Sequence, residues 1–136
     1  MDKTNEEYVV ELNKAFGLVI SGEPTVELLN LRKKLILEEV RELVEELDFA
    51  IEKLEKGEKI EKANFENMLK EMADVQVVLS GTAVSIKQLR NFREAFVRVH
   101  ESNMSKLDEN GKPMYREDGK FLKGPNYKKP ELGDLV

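Results

Sequence analysis

Leu35-Ile36-Leu37-Glu38-Glu39-Val40-Arg41-Glu42-Leu43-Val44-Glu45-Glu46-Leu47 is the stretch whose reading decides the fold. Its apolar residues recur every three and four positions, the period of an amphipathic helix. Acid interrupts the stripe. Positions 28, 35, 42 and 49 lie one heptad apart, so they fall on nearly the same side of a helix, and they read Leu28, Leu35, Glu42, Phe49. A carboxylate in an apolar row needs compensation, because burying an unpaired charge is costly. Glu39 precedes Glu42 by one turn and is its neighbour on the helix surface.

A second stretch, Met68-Leu69-Lys70-Glu71-Met72-Ala73-Asp74-Val75-Gln76-Val77-Val78-Leu79, repeats the arrangement with Glu71 and Asp74. With 27 acidic residues among 136, one Glu-Glu-x-x-Glu run arises readily by chance, and charge runs on helices are usually solvated faces. Two such motifs on consecutive helices, each inside an apolar patch, are harder to dismiss. Converging carboxylates repel each other and call for a cation between them. Hard oxygen ligands suit Mg²⁺, with Mn²⁺ as a substitute.

Outward from this core, the helix is predicted from about Thr25, after a Ser21–Pro24 turn, to Lys56, with Gly57 ending it. Leu29, Ile36, Leu43 and Ala50 form one row, and Val40, Leu47 and Leu54 another. Leu37, Val44 and Ile51 widen the stripe further. A helix this apolar needs partners on more than one side, so the reading is a bundle completed by oligomerisation, with a homodimer first. A third helix is expected from about Ala63, capped by Asn64, with Phe65, Met72, Leu79 and Ile86 in one heptad row. It should pair antiparallel with the second helix. Counting back from the turn puts Glu42 about one turn deeper than Glu71, an offset that the connection must absorb. Gly81 and Thr82 would permit close helix contact.

Upstream, Thr4 with Glu7 reads as a capping box opening a helix to Phe16, and Gly17 suits its C′ position. Downstream, a fourth helix is expected from about Lys87 to Lys106, carrying Phe92, Phe96, Val99, His100 and Asn103. The pattern then changes. Asn110-Gly111 and Asp118-Gly119 mark turns, and the segments around the second predict a small β-hairpin. Lysines at 106, 112, 120, 123, 128 and 129 make this tail basic, and Tyr115, Phe121 and Tyr127 give it something to pack with. The fold class is therefore all-α: one domain, 1–136, with a four-helix-bundle-type core over about 4–106 and an irregular basic tail over 107–136.

Composition narrows the function. A net charge of −5 argues against nucleic-acid binding, which favours a basic surface. The absence of cysteine removes disulfides, zinc–thiolate sites and thiol catalysis, and a single histidine removes zinc sites built on several imidazoles. The start is acidic and polar, unlike a signal peptide, and no apolar run nears the roughly 18 residues needed to span a membrane. The expected location is the cytoplasm, with no membrane partner.

Glu38-Glu39-x-x-Glu42 followed by Glu71-x-x-Asp74 resembles the signature of the all-α nucleoside triphosphate pyrophosphohydrolases, which include MazG-like proteins, dimeric dUTPases and phosphoribosyl-ATP pyrophosphohydrolase. Asn103-x-x-Lys106 is similar to that superfamily's later substrate motif. The stretches His100–Lys106, Gly111-Lys112-Pro113, Arg116–Lys120 and Lys123–Asn126 look like a MazG-like subgroup. The resemblance runs from about Asn13 to Leu132. It implies a four-helix core, an oligomer, and Mg²⁺-dependent hydrolysis of a nucleotide between its α- and β-phosphates. It further implies Glu39, Glu42, Glu71 and Asp74 as metal ligands and Glu38 as general base. Lys106 and Lys123 would meet phosphate, Asn103 phosphate or sugar, and Asn13 with Phe16 the base. The substrate class implied is dUTP or a non-standard dNTP, in a house-cleaning role. The alternatives are a phosphoribosyl-ATP pyrophosphohydrolase and a non-catalytic helical interaction module.

Overall fold

The structure is a computed structural model that describes residues 2–136; Met1, the first residue of the expected 1–136 domain, lies outside them. The protein is all-α. Four α-helices account for most of the chain, and no β-strand occurs among the described residues. The helices are α1 (Asn5–Phe16), α2 (Val26–Glu55), α3 (Lys62–Ser85) and α4 (Phe92–Met104). The chain divides into two compact units, Met1–Lys87 and Gln88–Val136.

The first unit holds α1, α2 and α3. Thr4 caps α1 by accepting a hydrogen bond from the Glu7 amide, and Gly17 closes the helix at φ 66°, a left-handed conformation that glycine adopts without strain. Thr25 caps α2 in the same way, accepting from Leu28. Asn64 does not cap α3. Glu61 holds that position, and Asn64, three residues on, reaches back to the Glu61 amide at 2.9 Å. The two residues satisfy each other's backbone, a reciprocal box in which either looks like the cap from sequence alone. α3 packs against both α2 and α1. Ser80, fully buried on α3, donates to the Glu6 carboxylate on α1 at 2.7 Å and accepts from Gln76 at 2.9 Å.

The expected start of the fourth helix at Lys87 is too early. Ile86 is extended (φ −114°, ψ 120°) and bridges Gly22; a 3₁₀ turn at Lys87–Leu89 follows, and α4 begins at Phe92. The cause is tertiary. The Ser21 and Gly22 amides donate to Val84 and Ser85 carbonyls, and Gly22 accepts from the Lys87 amide, so the chain leaves α3 along this loop instead of continuing as a helix.

Packing leaves much of α2 uncovered in the single chain. Leu37, Val44 and Ile51, and the parallel row Val40, Leu47 and Leu54, remain between 38% and 59% exposed. The other face carries the buried Ala50 and Arg32.

The second unit is α4 with the tail folded along it. Buried Ser102 donates to the Lys128 carbonyl at 2.7 Å, and Ser105 accepts from the Lys128 amide at 3.0 Å. Arg98 grips both oxygens of Asp134 at 2.6 and 3.0 Å, and Asn91 donates to the Leu135 carbonyl at 2.7 Å. The expected β-hairpin shrinks to a single antiparallel bridge, Tyr115 to Phe121, with the two rings 5.1 Å apart. Two short arms with exposed residues on every side have no buried face to extend them into strands.

Candidate metal centre

α2 and α3 run as a hairpin through the connection 56–61, and this brings their acidic turns together. Glu39 and Glu42 come from α2, and Glu71 and Asp74 from α3. Each offers a carboxylate oxygen, and these four atoms all lie within 4.8 Å of one another. The connection is not helical over 56–61, and the two acidic turns meet across it despite the offset expected from counting. All four side chains are half-buried.

The electrostatics of the cluster are unbalanced. Glu39 Oε2 and Glu71 Oε2 are buried and, among the described residues, have no hydrogen-bond partner. A buried carboxylate oxygen without a donor carries the full desolvation penalty. Burial first, and then the charges of Glu42 and Asp74, push the Glu39 carboxyl above the usual carboxylate range. A cation, Lys70, stands beside the cluster. Lys70 Nζ is 2.9 Å from Asp74 Oδ2 and 3.5 Å from Glu71 Oε1. The Asp74 hydrogen bond, with the charges of Asp74 and Glu71, raises the Lys70 ammonium above the ordinary lysine value.

These donors fit a divalent ion of the Mg²⁺ or Mn²⁺ type. They are all hard oxygens, drawn from two rigid helices, with negative charge in surplus and two oxygens that nothing else engages. Glu38, adjacent in sequence and half-buried, is turned about 100° around α2 from Glu39.

The remaining candidates each have surroundings of their own. Asn13 is 3% exposed, and its amide donates to the Val19 carbonyl at 3.0 Å, which fastens the loop after α1. Phe16, on the last turn of α1, is 72% exposed. In the second unit, Asn103 and Lys106 line one side of a cavity of about 380 Å³ walled by Met104, Met114, Phe121 and Leu122. Lys123 is exposed, with Nζ 4.8 Å from the centre of the Tyr127 ring.

Two charged residues that the sequence reading passed over matter here. Lys70 is one, and its i, i+4 spacing to Asp74 was the available signal. Arg32 is the other. It is buried against α3, with Nε donating to Thr82 Oγ1 at 3.1 Å and Nη2 to the Val78 carbonyl at 2.9 Å. Gly81 makes room for it, since a Cβ there would lie 2.5 Å from Nη2. Compared with known proteins, the chain matches no family model and no curated protein.

Proposed function

We propose that this chain is a Mg²⁺-dependent nucleoside triphosphate pyrophosphohydrolase that converts a (d)NTP, dUTP or a non-standard dNTP being the favoured class, to its monophosphate and pyrophosphate. The observation that carries the reading is the cluster of four carboxylates within 4.8 Å, two of whose buried oxygens lack a partner. The resemblance of Glu38–Glu42, Glu71–Asp74 and Asn103–Lys106 to the all-α pyrophosphohydrolases supplies the reaction.

Glu39, Glu42, Glu71 and Asp74 hold the ion. When bound, Mg²⁺ neutralises a triphosphate that an acidic site would otherwise repel and makes water easier to deprotonate. Glu38 takes the proton of the attacking water as the water oxygen bonds to phosphorus and the α,β-bridging oxygen departs with pyrophosphate. Asn103, Lys106 and Lys123 are assigned to phosphate and sugar and the exposed Phe16 to the base, with the buried Asn13 fastening the loop that follows α1. A second copy of the chain belongs to the same reading, because two exposed apolar rows on α2 are what a homodimer would cover. Those rows also favour the one rival worth keeping, a helical interaction module without turnover.

Incubating the protein with Mg²⁺ and a panel of NTPs and dNTPs, dUTP included, and separating the products tests the reaction. Monophosphate with pyrophosphate is expected. Diphosphate with phosphate would mean that the wrong bond breaks and would end the assignment. No turnover with Mg²⁺ or Mn²⁺ would shift the reading to a substrate outside the panel, such as phosphoribosyl-ATP, or to the interaction module. Sedimentation should show a dimer; a monomer at micromolar concentration would remove the second copy.

A further inference from the structure

Lys70 is 68% exposed along its side chain, yet its ammonium is shared between two carboxylates, Asp74 and Glu71. They are the two ligands that α3 brings to the acidic cluster. An exposed ion pair by itself contributes little. The placement is what distinguishes this one. Glu71 divides its oxygens, Oε1 towards Lys70 at 3.5 Å and Oε2 buried without a partner. The lysine therefore offsets part of the cluster's charge while leaving a buried oxygen on each helix unengaged.

We propose that Lys70 is a built-in counter-ion of the acidic cluster, holding Glu71 and Asp74 in place in the metal-free protein and yielding them to an incoming divalent cation, so that it sets the affinity of the site for that cation. The inference rests on the metal-binding reading of the cluster. An ammonium and a divalent ion seek the same two carboxylates and repel each other, so the lysine contacts weaken as the ion enters. A divalent ion would bring two charges where the lysine brings one, and carboxylates of both helices would hold it, where the lysine is held from one helix. The flexible four-carbon stem lets the ammonium withdraw to solvent. Removing Lys70 should therefore act oppositely on the two states: the metal-free cluster loses its counter-charge, and the metal-bound cluster loses a repelling neighbour. A salt bridge that served only the fold would, on removal, weaken both.

Calorimetric titration of Mn²⁺ into the full chain, with thermal melting in chelator alongside, tests this. Lys70→Gln should bind Mn²⁺ roughly five- to tenfold more tightly than wild type, the scale expected for removing one charge within a few ångströms of a divalent ion near the surface. It should also melt lower in chelator. Lys70→Arg should restore both values towards wild type, and Lys59→Gln, in the connection between α2 and α3, should change the Kd by less than about twofold. If wild type binds Mn²⁺, Glu71→Gln abolishes binding, and Lys70→Gln binds no more tightly, the counter-ion role is overturned while the metal centre stands. If wild type takes up no Mn²⁺, the metal centre falls and the inference with it.

Discussion

One heptad separates two buried charged places on the same helix pair, and they are resolved in opposite ways. Arg32 lies seven residues before Glu39 on α2; Val78 and Gly81, which receive it, lie seven residues after Glu71 and Asp74 on α3. At the arginine end, the buried cation has a backbone carbonyl and a hydroxyl in hydrogen-bond reach, and a glycine shaped to admit it. At the acidic end, four carboxylates crowd together and two oxygens are left over. Burial disfavours the charged form at both, lowering the Arg32 pKa and raising that of Glu39. The contrast teaches how to read a buried charge. The charge at the arginine end has its partners supplied by the chain, whereas the acidic end is left incomplete, as the proposed metal site requires.

The largest expected effect comes from completing the incomplete end. At a free Mn²⁺ concentration about a hundred times the Kd, linkage adds about 2.7 kcal/mol, or roughly 10 °C in Tm for a chain of this size. Glu42→Ala should erase that rise while the chelated protein keeps its fold; an undiminished rise in the variant would detach Glu42 from the site. Next is Arg32→Ala, expected to cost about 2 kcal/mol in denaturant unfolding through lost packing and hydrogen bonds, and to weaken the Mn²⁺ response by loosening the register that those bonds set. A loss below a few tenths would show that the arginine end is not structural. Gly81→Ala should cost about 1 kcal/mol, because its methyl displaces the guanidinium. In an Arg32→Ala background the cost should disappear, and a double-mutant cycle that came out additive would deny the contact.

The smallest effect concerns pH. A carboxyl whose folded pKa is raised stabilises the native state below its unfolded pKa and loses that contribution as pH rises through the folded value. Metal-free wild type should therefore lose stability relative to Glu39→Gln as pH climbs from the ordinary carboxylate range. Melting both in chelator between about pH 4 and 8 gives the difference. A difference that stays level would mean that Glu39 is not perturbed.

The all-α class was legible because period and caps agree: Thr4, Gly17 and Thr25 act as their residue types suggest. The acidic quartet was legible because i, i+3 spacing puts each pair on one face of its helix, and a hairpin in the right register brings the two pairs together. Features decided at long range were not. Arg32 stands in an Arg32-Lys33-Lys34 run that looks like solvated surface, and its burial depends on a glycine 49 positions away. Gly81 was legible as a site of close approach, but a guanidinium, not a helix backbone, fills the gap. The late start of α4 depends on Gly22, and the hairpin failed because turn chemistry alone cannot supply a buried face.

The arginine end also works as a ruler. Sliding one helix along the other by a single residue shifts it 1.5 Å and turns it by about 100°, enough to swing a carboxylate out of the quartet. The bonds from Arg32 to Val78 and Thr82 lock the two rods to one notch, a heptad from the place where alignment counts. A residue inserted between positions 32 and 39 would leave every acid in the chain and still scatter them, because the notch and the quartet would no longer share a face.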